Sequence, residues 1–129
     1  MTWRWPSRRI IEAVHHKLVQ RHGGGHGLRD GELLESSLAR PQNLAAYGDP
    51  SVFDLAANLA YGIAQNHPFV DGNKRAAFVA GALFLRLNGY SLDVDQAEAA
   101  LIFYRLAAGE LSEEELSDWY RRNAVEAAE

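Results

Sequence analysis

Cysteine is absent from this 129-residue chain, which excludes disulfide staples and thiolate chemistry and makes a reducing cytoplasm the simplest setting. No apolar run approaches the roughly 20 residues that span a bilayer as a helix, so no membrane partner is expected. The opening Met1-Thr2-Trp3-Arg4-Trp5-Pro6 lacks the apolar stretch of a signal peptide, and a cytoplasmic location is the expectation. An excess of positive charge is missing too. The formal net charge of −4 argues against direct nucleic-acid binding over a broad basic surface. Charge is nonetheless uneven, with cations early at Arg4, Arg8, Arg9, Lys17, Arg21 and Arg29, and carboxylates late at Glu110, Glu113, Glu114, Glu115 and Asp118. Internal repeats and linkers are also lacking, so residues 1–129 read as one domain, long enough for one core and not for two.

Strand-like alternation is equally scarce, whereas helical periodicity runs through most of the chain. Ser7 precedes a first helix to about Arg21, with Ile10, Ile11, Val14, Leu18 and Val19 as its apolar stripe and Gly23-Gly24-Gly25 as its stop. Asp30 is placed to cap a second helix to about Ala39, ended by Pro41. The stretch from Pro41 to Pro50 reads as the longest irregular segment before residue 67. Ser51 with Asp54, Asp95 with Glu98, and Ser112 with Glu115 have capping-box spacing and open three further helices, the first running to about Gln65 and the last two separated at Gly109. Another helix runs from Lys74 to Leu87 and stops at an Asn88-Gly89 turn, and the chain is expected to fray after Asn123. The expected fold is all-α, a compact single-domain bundle of about six helices.

Other apolar and titratable residues have ordinary expectations. Trp3 and Trp5 should pack on the first helix or on a neighbouring chain, Trp119 and Tyr120 on the apolar face of the last, and Leu101, Phe103, Tyr104 and Leu106 in the core. His15 and His16 cannot both face inward, and solvent contact is expected for them. His22 and His26 are separated by Gly23-Gly24-Gly25 with no further ligand evident, so no metal is expected there.

The chemistry concentrates in His67-Pro68-Phe69-Val70-Asp71-Gly72-Asn73-Lys74-Arg75. Pro68 and Gly72 break regular structure, after which a helix begins. A helix N-terminus has unpaired N–H groups and the positive end of the macrodipole, which stabilises an anion by roughly 0.3–1 kcal/mol before any side chain contributes. Lys74 and Arg75 oppose that dipole, a penalty that a bound polyphosphate would reverse. Lys74 is a point charge and Arg75 a planar fork for phosphate oxygens. Asp71 offers a hard oxygen ligand for Mg²⁺. Asn73 is placed to cap the helix while fixing the loop, and Phe69 to anchor it from inside. His67 is the candidate general base, a role contributing about 10²–10⁴ in rate.

This string resembles the signature of the Fic/Doc family, and with lysine at its variable position it is most similar to the Doc toxins of type II toxin–antitoxin pairs. Gly23-Gly24, Gly27-Leu28-Arg29-Asp30, Leu33-Leu34-Glu35-Ser36, Arg40-Pro41 and Asn88-Gly89-Tyr90 extend the resemblance over nearly the whole chain. The resemblance implies His67 as catalytic base, Asp71 as the magnesium ligand, and Gly72, Asn73, Lys74 and Arg75 as the residues holding the phosphates of ATP. By the same resemblance the segment 41–50 corresponds to one that overhangs the site, with an ordinary helix connection as the equal alternative, so it is not counted among the site residues. AMP-transferring members carry glycine at the position of Lys74 and an arginine at that of Phe78. The implied activity is therefore transfer of a phosphoryl group from ATP to a Ser or Thr hydroxyl of a translation elongation factor (EF-Tu-like), with AMP transfer or a catalytically idle binding module as alternatives. An antitoxin partner, Phd-like and docking a C-terminal helix in a groove near the motif, is implied as well.

Overall fold

Among the described residues, six helices and one small sheet follow each other as α1 (Arg8–His22), α2 (Gly31–Tyr47), α3 (Val52–Asn66), α4 (Asn73–Leu87), β1 (Tyr90–Leu92), α5 (Gln96–Ala107), α6 (Glu113–Asn123) and β2 (Ala124–Glu126). The computed structural model describes residues 2–127. The helical bundle is the one expected from periodicity. Among the described helices none is long and apolar enough to cross a membrane.

Side chains cap five of the six helices at the residues anticipated. Ser7, Asp30 and Asp95 accept from backbone N–H groups of the first turns of α1, α2 and α5. Ser51 with Asp54, and Ser112 with Glu115, form reciprocal capping boxes on α3 and α6. Each such cap stabilises its helix by about 1 kcal/mol. The box at Asp95 is only half made, because the Glu98 carboxylate instead accepts from the Trp119 indole N–H at 3.3 Å and ties α5 to α6.

α3 is the hub, apolar on nearly every side, with Leu55, Ala56, Ala57, Leu59, Ala60, Ile63 and Ala64 at most 1% exposed. A helix apolar all round must be surrounded, and α2, α4 and α6 enclose it. Small residues bring α4 in close: a Cβ on Gly81 would sit 3.3 Å from that of Ala60 and would collide with the Tyr120 hydroxyl of α6. The N-terminal segment lies over the far end of α4, where Trp3 and Trp5 pack on Phe84 at 6.3 and 5.1 Å between ring centres. The Arg4 backbone there exchanges hydrogen bonds of 3.0 and 2.9 Å with the Asn88 side chain. The two tryptophans therefore cover α4 rather than α1.

Several local expectations are overturned by tertiary contacts. Pro41 does not end α2, which runs on to Tyr47, so only residues 48–50 of the segment 41–50 are irregular. An interior proline costs a helix about 3 kcal/mol or more in local terms, but this ring is fully buried and Leu44 and Ala45 beyond it pack on the core. Residues 124–127 are ordered rather than frayed, because β2 pairs antiparallel with β1, with Ser91 opposite Val125, while the expectation for 128–129 lies outside the described residues. Asp93 N–H to the Asn123 carbonyl at 2.7 Å closes one end of the ladder and Ala127 N–H to the Gly89 carbonyl at 2.9 Å the other. In α1 the buried stripe is Ile11, His15 and Val19, leaving Ile10 exposed. In α5 it is Ala99, Ile102, Phe103 and Leu106, which leaves Leu101 and Tyr104 outside the core.

Candidate active site

Between the ends of α3 and α4 the chain turns through residues 67–72, and every part of that turn is held by a named partner. His67 closes α3 in the left-handed region at φ 48° and ψ 58°, its N–H bonded to the Ile63 carbonyl at 3.2 Å. Pro68 follows, and its carbonyl accepts from the N–H groups of Arg29 and Asp30 at 2.7 and 3.0 Å. Phe69 points into the core, 1% exposed, as anticipated. Its backbone N–H and C=O are both paired at 3.0 Å with the Asn73 side-chain amide. Asn73 thus fixes the loop but does not cap α4. The N-cap is Gly72 at φ 78°, a conformation that glycine adopts without a Cβ penalty.

His15 is the residue that sequence reasoning missed. Instead of meeting solvent it is 2% exposed, stacked on Phe69 with ring centres 3.8 Å apart. Its Nε2 lies 2.7 Å from the Asp71 carbonyl. A carbonyl only accepts, so Nε2 carries the proton. The signal was present in the spacing, since His15 lies four residues from both Ile11 and Val19 and so shares their face. His16 is exposed, with its ring 5.0 Å from that of His26. Among the described residues no group of three or more His, Cys, Asp or Glu side chains could hold a metal ion by itself.

A groove of about 990 Å³ opens over the start of α4. One wall is the end of α1 with Leu18, His22, Gly23 and Gly24, and the opposite wall is α5 with Gln96, Ala99, Ala100, Leu101, Phe103 and Tyr104. Asp71, Gly72, Asn73, Lys74 and Arg75 line its base together with Phe78 and Val79. Five of the six candidate site residues therefore share one cavity. His67 is exposed and is not among the residues that line the groove.

The base of the groove is electrostatically open to an anion. The N-terminus of α4 is the only one among the described helices with no side-chain cap, so its first N–H groups, on residues that line the groove, have no side-chain acceptor among the described residues. Lys74 and Arg75 are exposed and form no ion pair among the described residues. The Lys74 ammonium lies 5.0 Å from the centre of the Tyr104 ring, which places it at the groove mouth. Asp71 faces the same space, one carboxylate oxygen accepting from the Gly25 N–H at 2.7 Å. A Cβ on Gly25 would approach that oxygen to 3.1 Å and the Val70 side chain to 2.8 Å, so the glycine run lets the backbone come close enough to orient the carboxylate. A second hollow, of about 320 Å³, has Asp49, Asp54, Glu113 and Glu114 in its lining and would repel phosphate.

A model of the Fic/DOC family matches residues 5–85, which include the whole turn and the start of α4. The chain belongs to the Fic/DOC family. It is 46% identical over 83 residues to "Toxin Doc" of Mycolicibacterium smegmatis, covering 59% of this chain and 63% of that protein. It is also 34% identical over 111 residues to "Protein kinase doc" of Escherichia phage P1, covering 85% of this chain and 87% of that protein. Within this Fic/DOC chain, Phe78 lies on the groove floor with its ring 5.2 Å from that of Phe103.

Proposed function

We propose that this chain is the toxin of a type II toxin–antitoxin pair and that it transfers the terminal phosphoryl group of ATP to a Ser or Thr hydroxyl of a translation elongation factor. The observation that carries the reading is the uncapped N-terminus of α4, which opens on the groove beside one carboxylate and two cations that form no ion pair among the described residues. The names of the two relatives, a toxin and a protein kinase, support the same reading.

In this mechanism the phosphates lie over the first N–H groups of α4, with Lys74 and Arg75 balancing charge on their oxygens. His67 accepts the proton of the acceptor hydroxyl. The hydroxyl oxygen forms a bond to the γ-phosphorus as the bond from that phosphorus to the β,γ-bridging oxygen breaks, and ADP leaves with the electron pair. Asp71 suits Mg²⁺, because a single oriented carboxylate with no neighbouring acidic ligands matches an ion that takes its remaining ligands from water and substrate phosphate. When bound, Mg²⁺ would supply charge compensation on those oxygens. The position of His67 outside the groove lining suits a base that meets a protein substrate arriving from solvent.

The antitoxin belongs to the same proposal. Leu101 and Tyr104 are 58% and 59% exposed on the groove wall, and an amphipathic helix from a Phd-like antitoxin would cover them. The test is to incubate the chain with ATP, Mg²⁺ and a bacterial lysate and to take intact and peptide masses, with His67→Ala as control. A His67-dependent phosphate on an elongation factor is expected. An AMP adduct, or full transfer by a folded His67→Ala variant, would overturn the reading.

A further inference from the structure

We infer that Arg29 is a positioning residue that holds the His67 backbone in its left-handed conformation and so aims the imidazole; the inference rests on His67 acting as the base. His67 is the one non-glycine residue with positive φ among the described residues. Two local preferences oppose that conformation. A non-glycine residue in the left-handed region is strained by roughly 1–3 kcal/mol, and a following proline pushes its predecessor toward extended backbone. Pro68 is that proline.

The Arg29 guanidinium spans the turn with two bonds, Nε donating to the His67 carbonyl at 2.7 Å and a terminal nitrogen donating to the Asn66 carbonyl at 2.8 Å. The first bond is diagnostic, because the direction of the His67 carbonyl is set by the His67 ψ angle of 58°. Relaxation to the extended ψ of roughly 120–160° would swing that carbonyl away from the guanidinium. Arg29 is itself immobilised. Its N–H and that of Asp30 bond to the Pro68 carbonyl, the Val70 N–H bonds to the Gly27 carbonyl at 3.1 Å, and Leu28 bridges to Phe69. Asp30 then caps α2, so the arm that carries the guanidinium is fastened to a helix. The charge of Arg29 meets no carboxylate among the described residues, which leaves it to the carbonyls at the negative end of α3. Lysine would place a point charge near one carbonyl and could not fork across two.

The experiment compares Arg29→Ala, Arg29→Lys and His67→Ala with the parent chain. Backbone NMR shifts of His67 report its conformation, and steady-state phosphoryl transfer at varied ATP reports kcat and KM separately. In Arg29→Ala the His67 shifts should move from left-handed to extended values, kcat should fall at least tenfold, and KM for ATP should stay unchanged, because the groove residues are held by other partners. Arg29→Lys should fall between Ala and parent. Left-handed shifts retained in Arg29→Ala, or kcat equal to the parent, would overturn the inference while an inactive His67→Ala left the base assignment standing. A rise in KM accompanying the loss of kcat would also overturn it, by showing a general loss of site structure. Transfer persisting in His67→Ala would instead overturn the base assignment and the aiming role with it.

Discussion

Tyr120 shows how much a single buried atom costs. Its side chain is fully buried on α6 and its hydroxyl has no hydrogen-bond partner among the described residues. Burial without a partner pushes the phenol well above its ordinary ionisation range, so it stays neutral at any pH the protein meets. An unpartnered buried hydroxyl costs about 1–3 kcal/mol of desolvation. Tyr120→Phe removes that hydroxyl and keeps the ring, and it is expected to raise stability by about 1 kcal/mol, read as a higher urea midpoint at unchanged slope. A lower midpoint would mean that the hydroxyl has a partner in solution. His15, by contrast, has a partner for its Nε2 and a stacked ring, which is why a buried imidazole is tolerated against the loop.

At the scale of one element, α4 carries the binding argument. Its uncapped first turn bears Lys74 and Arg75 against its own dipole. An anion seated there is expected to stabilise the fold by mass action. Raising inorganic phosphate at constant ionic strength should therefore raise Tm in the parent chain and raise it less in a Lys74→Ala, Arg75→Ala double variant. Equal shifts in both would place the anion elsewhere. The same variant is expected to raise KM for ATP in the transfer assay, since these cations are offered to ground-state phosphates as well as to the transition state.

Across the whole molecule, the N-terminus of α3 is stapled to α6 through Asp54, which accepts from the Ser117 hydroxyl at 2.6 Å and from the Ser51 N–H at 2.9 Å. Partial burial pulls the Asp54 carboxyl upward, but the hydrogen bonds from Ser117 and Ser51, with Arg121 nearby, outweigh it and leave the group below its usual value. Glu115 is shifted the same way by its bonds with Ser112. A group depressed in the folded state contributes stability above its unfolded pKa, about 3.9 for Asp, and loses it as pH falls through the folded value. Tm should be insensitive to Asp54 above about pH 5 and should fall below about pH 4. Asp54→Asn should be less stable at neutral pH and should show a smaller fall in that acid window, measured by calorimetry from pH 2 to 7 on the order of those limits. An unchanged acid slope would remove Asp54 from the account.

Legibility from sequence followed the range of the interaction. Caps at Ser7, Asp30, Ser51, Asp95 and Ser112 were readable because a cap bonds only two or three residues along the chain. The loop from His67 to Arg75 was readable for the same reason, its residue types and spacing being local, and the amphipathic stripes determined the six-helix part of the described fold but not its small sheet. Tertiary structure decided what depends on distant partners. Burial of Pro41 carried α2 past its local stop. Pairing of β2 with β1, three residues each and far apart in sequence, ordered a tail too short to show alternation. Leu101 and Tyr104 became a groove wall because α5 could turn only one stripe toward α3. His15 and Arg29, 56 and 38 residues away from the groups they hold, could be assigned to the loop only once the chain had folded, because a hydrogen bond is set by proximity and direction in space rather than by separation along the chain.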